Sequence, residues 1–574
     1  MEKILIFTFY KDFLKKAYYL TRDKKKNIIF IFILLLIGSL LEVLSISLFL
    51  PALEFFNKNQ VSLIFFESSF SPDQTLFAIL CTILFMFFIK FIFFIFLLKQ
   101  KNNFLVLLST TISKKLFKKI IKKPYEYFLK NTTPYLMNIT GTVDGFCFGI
   151  VYNIILIVID FFTVLFFLIF LSFFNFFYTI VTISFICVIS FLYVLFFRNK
   201  IYKISEDKFF HTSQYIKFQQ DCFNGIKEVK LNSAENFFIN KFEFSNYNRA
   251  HNTLLEDYIK ALPKLIFEIS FIFLFVFLIL FSLDKNLSLS SIQITLGVFA
   301  LCAFKIIPLC NRLLFSLQTI KFKIFSFNKI FKEIKDGLDD QNIYSVNEKV
   351  TFNKEIKLKN VKFQYPNTDI TILDNINLSI SIGESIGIYG ESGSGKTTIL
   401  NLLTGLLKPT EGQITVDENT LQPNNEEWLS QVGYVPQSVY LTSDTVAENI
   451  AYGLDLENVD RELLNNAIKS SNLFKTINIL PNKERTLISE AGRNFSGGQI
   501  QRIGIARGLY KKPKILILDE STSNLDENNE KEILSTLMKL KNKITIIFIS
   551  HKLNSLKFCD KIYELRNKKL YEKK

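Results

Sequence analysis

Six long apolar runs occupy the first 320 residues and constrain the fold more than any other feature of this sequence. Each run holds close to or above the roughly 20 residues that a helix needs to cross a bilayer. In lipid, a helix satisfies its own backbone hydrogen bonds, which an open strand cannot do. The sequence therefore predicts six transmembrane helices, at about residues 28–56, 76–98, 146–170, 175–197, 261–283 and 292–318.

Lysine and arginine alternate between rich and poor segments around these runs. Three rich segments hold eight, nine and ten such residues, whereas three poor segments hold one, none and one. Because positively charged loops stay on the cytoplasmic side, the pattern predicts that both termini are cytoplasmic. We therefore attribute the net charge of +16 mainly to membrane topology and not to nucleic-acid binding. The rich segments are 1–27, 99–130 and 198–260, and the poor segments are 57–74, 171–176 and 282–290.

Seven ionisable residues interrupt the apolar runs, although a charge at the centre of a bilayer costs roughly 2.5–3.5 kcal/mol. Lys264 and Glu268 are four residues apart and could pair on one helix face. Lys90 lies too far from the end of its span for its stem to reach water along the helix. We interpret the cations on spans 2, 5 and 6 as the lining of a wet cavity that takes an anion, with snorkelling as the alternative. The seven residues are Glu42, Lys90, Asp160, Lys264, Glu268, Lys305 and Arg312.

The segment GESGSGKTT, Gly390–Thr398, fits the phosphate-binding pattern G-x-x-x-x-G-K-[ST]. A strand-like stretch precedes it and a helix-like stretch follows it, which is the context that this motif requires. Backbone N–H groups and the start of the helix can then hold phosphate. Lys396 would hold the β- and γ-phosphates, and Thr397 would bind Mg²⁺.

The run ILILDE, Ile515–Glu520, is typical of a buried strand that ends in two acids. On its own this is a weak signal, because strands often end in solvated charges. About 120 residues after a phosphate-binding loop, it indicates that Asp519 assists Mg²⁺ and that Glu520 polarises the attacking water.

The segment NFSGGQIQR, Asn494–Arg502, lies between these two motifs and resembles the signature of ATP-binding cassette (ABC) proteins. Phe495 departs from the family, which usually has leucine there, but the phosphate-contacting Ser496 and Gly498 are present. Four further positions resemble family markers: the adenine-stacking Tyr365, the Q-loop Gln437, the D-loop Asp526 and the switch His551.

This resemblance implies ATP and Mg²⁺ as cofactors and an ATP hydrolase coupled to transport. In the family each ATP lies between the phosphate loop of one cassette and the signature of a second, which implies a homodimer. Glu520 and His551 would be catalytic, and Thr397, Gln437 and Asp519 would bind Mg²⁺. The implied ATP contacts are Tyr365, Gly390, Ser392, Gly393, Gly395, Lys396, Thr397, Thr398, Gln437, Ser496, Gly497, Gly498, Gln499 and Asp526.

The resulting fold class is an α-helical polytopic membrane domain of the ABC exporter type, followed by an α/β P-loop nucleotide-binding domain. The expected boundaries are a cytoplasmic segment at 1–27, a six-span membrane domain at 28–320, a linker at 321–354 and the nucleotide-binding domain at 355–574.

The first span carries LEVLSISLFLP, and spans five and six carry ALPKLIFE and AFKIIPLCNRLL. These stretches resemble lipid-linked oligosaccharide flippases of the PglK type, including relatives in the O-antigen pathway. The resemblance implies flipping of an undecaprenyl-pyrophosphate-linked glycan to the periplasmic leaflet of a bacterial inner membrane, for protein glycosylation or lipopolysaccharide synthesis. The implied pyrophosphate contacts are Lys90, Lys264, Lys305 and Arg312.

Other cargoes and roles stay open at this point. An exporter of lipid A, drugs or peptides would carry the same cassette motifs, and lipid A is also anionic. A channel or regulator that uses ATP only for gating is a further alternative. The anionic-cargo hypothesis also has a requirement: it fails if the cations of the spans turn outward to water, or if each is bonded to an acidic neighbour so that the central cavity is left uncharged.

Overall fold

A computed structural model describes residues 12–13, 15–49, 72–173, 176–284, 289–339, 350–366, 368–489, 492, 494–521 and 527–573. The chain divides into two compact units. The first comprises residues 1–122 and 131–338, and the second comprises residues 123–130 and 339–574.

Helices build the first unit, and four of them are 49 to 51 residues long. A helix of 50 residues measures about 75 Å, more than twice the hydrocarbon thickness of a bilayer, so these helices extend well beyond their predicted spans. The short helix α3 belongs to the second unit. The helices are α1 (Lys25–Ser47), α2 (Pro72–Ile121), α3 (Tyr125–Lys130), α4 (Thr133–Gly141), α5 (Val143–Phe146), α6 (Tyr152–Ser172), α7 (Phe176–Asn224), α8 (Ile226–Leu231), α9 (Glu235–Asp284) and α10 (Leu289–Asp339).

Five helices among the described residues are long and apolar enough to cross a membrane. They contain the described parts of the first five predicted spans, whereas the sixth, 292–318, lies within α10. The last residues of the first predicted span, 50–56, lie outside the described residues. A π-helical segment, Cys147–Val151, connects α5 to α6.

The first part of the predicted linker at 321–354 is helical, because α10 continues without interruption to Asp339. Phe327, Ile330 and Ile334 are fully buried and are spaced by three and four residues, so the apolar face of the helix continues past residue 320. The ring of Phe327 stacks on Phe146 with centroids 5.2 Å apart. The helical unit accordingly ends near residue 338.

The second unit has two β-sheets flanked by short helices. A four-stranded antiparallel sheet has the order β2-β1-β4-β5, and a six-stranded sheet has the order β10-β9-β3-β8-β7-β6. The strands are β1 (Glu355–Gln364), β2 (Thr371–Ser381), β3 (Ser385–Tyr389), β4 (Glu411–Val416), β5 (Asn419–Thr420), β6 (Val432–Val435), β7 (Ile515–Asp519), β8 (Thr545–Ile549), β9 (Lys561–Arg566) and β10 (Lys569–Lys573).

Parallel pairing in the six-stranded sheet determines where the functional loops lie. Strands β9, β3, β8, β7 and β6 are parallel neighbours in that order. Strands β7 and β8 are buried at every position, as expected for strands covered on both faces. Because the carboxyl ends of parallel strands meet at one edge, the loops after β3, β7, β8 and β6 lie along the same edge.

The helices of this unit include α11, which follows β3, and α16, which carries the signature motif. In chain order they are α11 (Lys396–Leu403), α12 (Glu426–Ser430), α13 (Val446–Ile450), α14 (Arg461–Ser470), α15 (Phe474–Ile479), α16 (Gly497–Tyr510) and α17 (Glu527–Leu540). Strand, phosphate loop and helix thus follow one another as the sequence motif predicts.

Candidate ATP site and membrane charge cluster

The phosphate loop follows β3 and ends at α11. Gly393 and Gly395 have φ values of 80° and 106°, a region that side chains with a Cβ rarely adopt. A Cβ at Gly390 would lie 2.6 Å from the backbone oxygen of Leu565. Ser392 is exposed on the same loop. The glycines are therefore required by the backbone path and by close packing, in addition to leaving room for phosphate.

Lys396 is the first residue of α11 and is 6% exposed. Its Nζ donates hydrogen bonds of 2.9 Å to the carbonyl oxygens of Gly390 and Glu391. It also forms an ion pair of 3.3 Å with Oε1 of Glu520. The lysine of the phosphate loop is thereby linked to the acid that follows β7.

Asp519, the last residue of β7, accepts hydrogen bonds on Oδ2 from two hydroxyl groups. Thr397 donates from 3.2 Å and Tyr434 donates from 3.3 Å. Burial raises the pKa of Asp519, and the two hydrogen bonds act in the opposite direction. A hydroxyl and a carboxylate oxygen therefore meet where the sequence predicts the Mg²⁺ ligands.

Glu520 has a φ of 44°, a left-handed backbone conformation that is uncommon outside glycine. Its Oε2 accepts a hydrogen bond of 3.1 Å from Nε2 of Gln437. The predicted catalytic acid thus contacts both Lys396 and the predicted Q-loop residue. Residues in sparsely populated backbone conformations cost free energy, and they are concentrated at functional sites.

His551 follows β8 by two residues and is exposed. Asp519 pairs in register with Ile549, so the ends of β7 and β8 are level. His551 therefore lies at the sheet edge that carries Asp519 and Glu520. Tyr365 lies beside the start of α11, where its hydroxyl is 3.1 Å from Oγ1 of Thr398.

The signature residues form the start of α16. Ser496 is the N-cap, and it forms a capping box with Gln499: each side chain bonds the backbone N–H of the other residue. Gly497 is exposed and Gly498 is buried in the first turn. Ser496 and Gln499 hydrogen-bond to each other and, among the described residues, not to the phosphate loop. The predicted D-loop residue Asp526 lies outside the described residues.

The residues at the sheet edge fit ATP with Mg²⁺. Oxygen ligands from Thr397 and Asp519 suit a hard cation. Oγ of Ser394 in the phosphate loop is buried and has no hydrogen-bond partner among the described residues, which leaves a polar atom for a ligand. Bound ATP would supply the reactive phosphate, and Mg²⁺ would neutralise its charge.

Three of the four predicted pyrophosphate contacts belong to a charge cluster in the membrane unit. Glu42 on α1 forms ion pairs with Lys90 on α2 at 2.7 Å and with Lys305 on α10 at 3.5 Å. Arg312, also on α10, makes a two-pronged hydrogen bond with the fully buried Asp160 on α6. Arg312 also interacts electrostatically with Glu42. Four helices are thereby connected through charged side chains.

The acidic partners change the interpretation of these cations. Each of the four predicted cations is bonded to an acidic neighbour, as the hypothesis of an anionic cargo did not expect, but Lys90, Lys305 and Arg312 share only two carboxylates. One positive charge therefore remains in excess. Lys305 and Arg312 keep 40% and 48% of their side chains exposed, so both are accessible despite their ion pairs.

Lys264 does not join this cluster. It lies 4.0 Å from Glu268 on its own helix, α9, and the two side chains are 65% and 49% exposed. The intrahelical pair that the spacing of four residues allowed is therefore present. Among the described residues, Lys264 contacts none of the other three predicted cations.

Sequence reasoning missed two features of these sites. Tyr434 was not assigned a role, although it lies in the VGYVPQ stretch on β6, directly beside β7. Glu42 and Asp160 were noted as buried charges but were not assigned as partners of particular cations. The i and i+7 spacing of Lys305 and Arg312 indicated a shared helix face but not which acids face it.

Two family models match this chain. The model described as "ABC transporter transmembrane region" matches residues 28–304, and the model described as "ABC transporter" matches residues 373–523. The second match includes the phosphate loop, the signature and Glu520. The second unit is therefore the ATP-hydrolysing domain of an ABC transporter, and its cofactors are ATP and Mg²⁺.

Curated relatives match parts of the chain. The lactococcin-G-processing and transport ATP-binding protein LagD of Lactococcus lactis is 34% identical over 60% of this chain and 49% of its own length. An ATP-dependent lipid A-core flippase of Saccharophagus degradans is 40% identical over 38% of this chain and 37% of its own length. The chain thus spans less than half of the length of either relative.

A solved structure matches over nearly the whole chain. The structure of a bacterial Atm1-family ABC exporter with ATP bound superposes with a TM-score of 0.80 over 95% of both chains, at 21% sequence identity. This match confirms the predicted fold class. Because the sequence identity is only 21%, the match supports the fold and no particular activity. The chain combines one ABC-transporter membrane region with one ABC ATP-binding domain, which is the domain set of an ABC exporter half-transporter.

Proposed function

We propose that this protein is an ATP-driven flippase of a polyprenyl-pyrophosphate-linked oligosaccharide. In this proposal it moves the glycolipid from the cytoplasmic to the periplasmic leaflet of a bacterial inner membrane, with both termini in the cytoplasm. The glycan would serve protein glycosylation or O-antigen and lipopolysaccharide synthesis. The observation that carries the proposal is the charge cluster around Glu42, which retains a net positive charge inside apolar spans.

The residual charge supports an anionic cargo for an electrostatic reason. Lys305 and Arg312 are each bonded to an acid but are still accessible, so a pyrophosphate group can bind them without first breaking the ion pairs. Lysine binds phosphate as a point charge, whereas the Arg312 guanidinium is already engaged on two of its donors by Asp160. We therefore assign Lys305, the more exposed of the two lysines, as the principal pyrophosphate contact, and Lys90 and Arg312 as further contacts.

A homodimer is part of the proposal. Within one chain the signature residues Ser496 and Gln499 bond each other, as far as the described residues go, whereas Lys396 pairs with Glu520, which in turn accepts from Gln437. A second copy would bring its Ser496 and Gln499 to the phosphate loop. ATP binding would then hold the two cassettes together, and hydrolysis would release them.

Transport in reconstituted vesicles tests the cargo. Purified protein is incorporated with a labelled polyprenyl-pyrophosphate glycan, and ATP-dependent transfer to the opposite leaflet is measured. We expect transfer that is lost in Glu520→Gln. We expect Lys90→Ala to slow transfer roughly ten- to a hundredfold, because one contact to a charged group contributes roughly 1.5–3 kcal/mol. Lys99→Ala, an exposed lysine on the same helix, is the matched control.

Lipid A is the competing cargo in the same assay, because one relative is named as a lipid A-core flippase. Transfer of labelled lipid A without transfer of the glycolipid would contradict the proposal. Equal glycolipid transfer by Lys90→Ala and Lys99→Ala would exclude the charge cluster as the binding site.

A further inference from the structure

A second basic cluster lies in the membrane unit, away from the residues discussed above. Glu256 on α9 is 6% exposed in its side chain and accepts two ion pairs. Lys208 on α7 lies 2.7 Å from its Oε2, and Lys260 on α9 lies 2.5 Å from its Oε1. Lys323 on α10 interacts electrostatically with all three of these residues. Three cations therefore surround one carboxylate.

The charge of this group is not balanced by protein atoms. Among the described residues, Lys323 makes no hydrogen bond or ion pair, and Glu256 is the only acid whose charge acts on it. Two positive charges are left over in a half-buried site. Buried charges are normally paired, because leaving water without a partner is costly. An imbalance of this kind is what an anion-binding site shows in the absence of its anion.

The position of Lys323 is held by packing along its stem. The side chain crosses the π-helical segment between α5 and α6, and a Cβ at Gly149 would lie 2.9 Å from the Lys323 Cγ. Lys260 is held as well, with its ammonium 5.5 Å and 5.4 Å from the ring centroids of Phe315 and Phe322. The stem of Lys323 and the ammonium of Lys260 are therefore held in place before a ligand binds, which lowers the entropic cost of binding.

Two of the three lysines are partly accessible to solvent. The Lys208 side chain is 26% exposed and Lys323 is partly exposed, whereas Lys260 and Glu256 form the buried floor. Lys208 and Lys260 belong to the predicted cytoplasmic segment 198–260, and Lys323 follows the sixth predicted span by five residues. In the proposed orientation, the cluster lies at the cytoplasmic boundary of the membrane.

We infer that Lys208, Lys260 and Lys323 form a binding site for a phosphate-type anion, distinct from the charge cluster around Glu42. Three lysines that act on one carboxylate suit a phosphate group, which offers several oxygen acceptors and one to two negative charges. The phosphate can belong to the headgroup of an anionic membrane lipid or to a free phosphate compound. The inference does not depend on the cargo proposed above.

Two variants with opposite expected effects test the site. Lys323→Met keeps the stem packed on Gly149 and removes the charge, and we expect it to weaken anion binding about tenfold. Glu256→Gln removes the competing carboxylate, and we expect tighter binding. Lys332→Met, an exposed lysine on the same helix, is the control for the change in net charge. A purely structural role would make both cluster variants weaker or unfolded, not opposite in sign.

Two probes distinguish the source of the phosphate. Native mass spectrometry compares the number of phosphatidylglycerol molecules and of phosphatidylcholine molecules that the full-length protein retains. Inorganic pyrophosphate is titrated in a Lys396→Ala background, which removes phosphate binding by the ATP site, and thermal stabilisation is recorded. Dependence on Lys323 in the lipid arm supports a headgroup site, and dependence only in the pyrophosphate arm supports a site for free phosphate. Identical behaviour of Lys323→Met and Lys332→Met in both arms overturns the inference.

Discussion

Tyr434 shows how one hydroxyl group can adjust a metal site that sequence motifs already locate. Tyr434 belongs to β6, and its hydroxyl donates a hydrogen bond to the same oxygen of Asp519 that accepts from Thr397. Burial and the nearby carboxylate raise the pKa of Tyr434, so the hydroxyl stays protonated and donates at neutral pH. We therefore regard Tyr434 as a positioning residue for Asp519.

Replacing Tyr434 by phenylalanine removes this donor while it keeps the packing of the ring. One hydrogen bond contributes about 0.5–1.5 kcal/mol. We expect the Mg²⁺ concentration for half-maximal ATP hydrolysis to rise by roughly two- to tenfold, which a titration of ATPase activity with Mg²⁺ measures. Tyr440→Phe, at an exposed tyrosine, is the control. The same Mg²⁺ dependence in both variants would contradict the role.

The residues of the ATP site were predictable to different degrees for a physical reason. The phosphate loop is contiguous, so its spacing alone determines its geometry. Lys396 and Glu520 are distant in sequence, but Lys396 follows β3 through the phosphate loop and Glu520 follows β7, and both strands pair in parallel with β8. Tyr434 has no such marker, because its role depends on the register between β6 and β7. Pairing of Glu42 with Lys90 and Lys305 depends on helix packing, which periodicity does not specify.

At the scale of elements, the start of β3 is held by Asp560, the residue before β9. Its carboxylate accepts from the backbone N–H and the hydroxyl of Ser385 at 2.9 and 2.6 Å, and it pairs with Lys541 at 2.7 Å. Burial alone would raise the pKa of Asp560, but these bonds lower it to about 2. The strand that leads into the phosphate loop is thus anchored by a charged group.

The lowered pKa of Asp560 predicts a stabilisation that depends on pH. The unfolded carboxyl titrates near about 3.9, so the stabilisation is complete above that pH and is lost as the pH falls towards 2. We expect Asp560→Asn to lower the midpoint of thermal unfolding at pH 7, and the deficit to shrink between about pH 4 and pH 2. Asp369→Asn, at an exposed aspartate, is the control. A deficit that is constant over this range would contradict the assignment.

A second prediction at this scale concerns the packing of α16 against β6. A Cβ at Gly433 would overlap the backbone oxygen of Gly508, so helix and strand approach closely at this point. Overpacking of this kind costs typically 1–3 kcal/mol. We expect Gly433→Ala to lower the temperature at which the protein loses nucleotide binding. An unchanged temperature would show that the helix can move away from the strand without cost.

Element boundaries in the membrane unit were less predictable than the spans themselves. Apolar runs identify where a helix crosses lipid, because lipid removes every competing partner for the backbone. Beyond the lipid, helices such as α7 and α10 continue with mixed sequences that are stabilised by packing, as the buried Phe327 and Ile334 show. Hydropathy therefore ended the sixth span near residue 318, whereas packing extends the helix to Asp339.

At the scale of the whole molecule, the proposed homodimer predicts how two substitutions combine in their effect on ATP hydrolysis. If each ATP site combines the phosphate loop of one copy with the signature of the other, two defects in different copies leave one complete site. Two defects in the same copy leave none. The opposite holds if each chain forms its own site. The arrangement of the same two substitutions thus separates the two architectures.

Lys396→Ala removes the phosphate-loop lysine, and Ser496→Arg blocks the signature. Mixed dimers are purified through two different affinity tags, so that both copies are present in every molecule measured. We expect ATP hydrolysis, up to about half of that of the wild-type dimer, when one copy carries Lys396→Ala and the other Ser496→Arg. We expect almost none when one copy carries both substitutions and its partner carries neither. The reverse order of activities would place a complete ATP site within each chain, and the dimer would then have to be held together by the membrane unit instead.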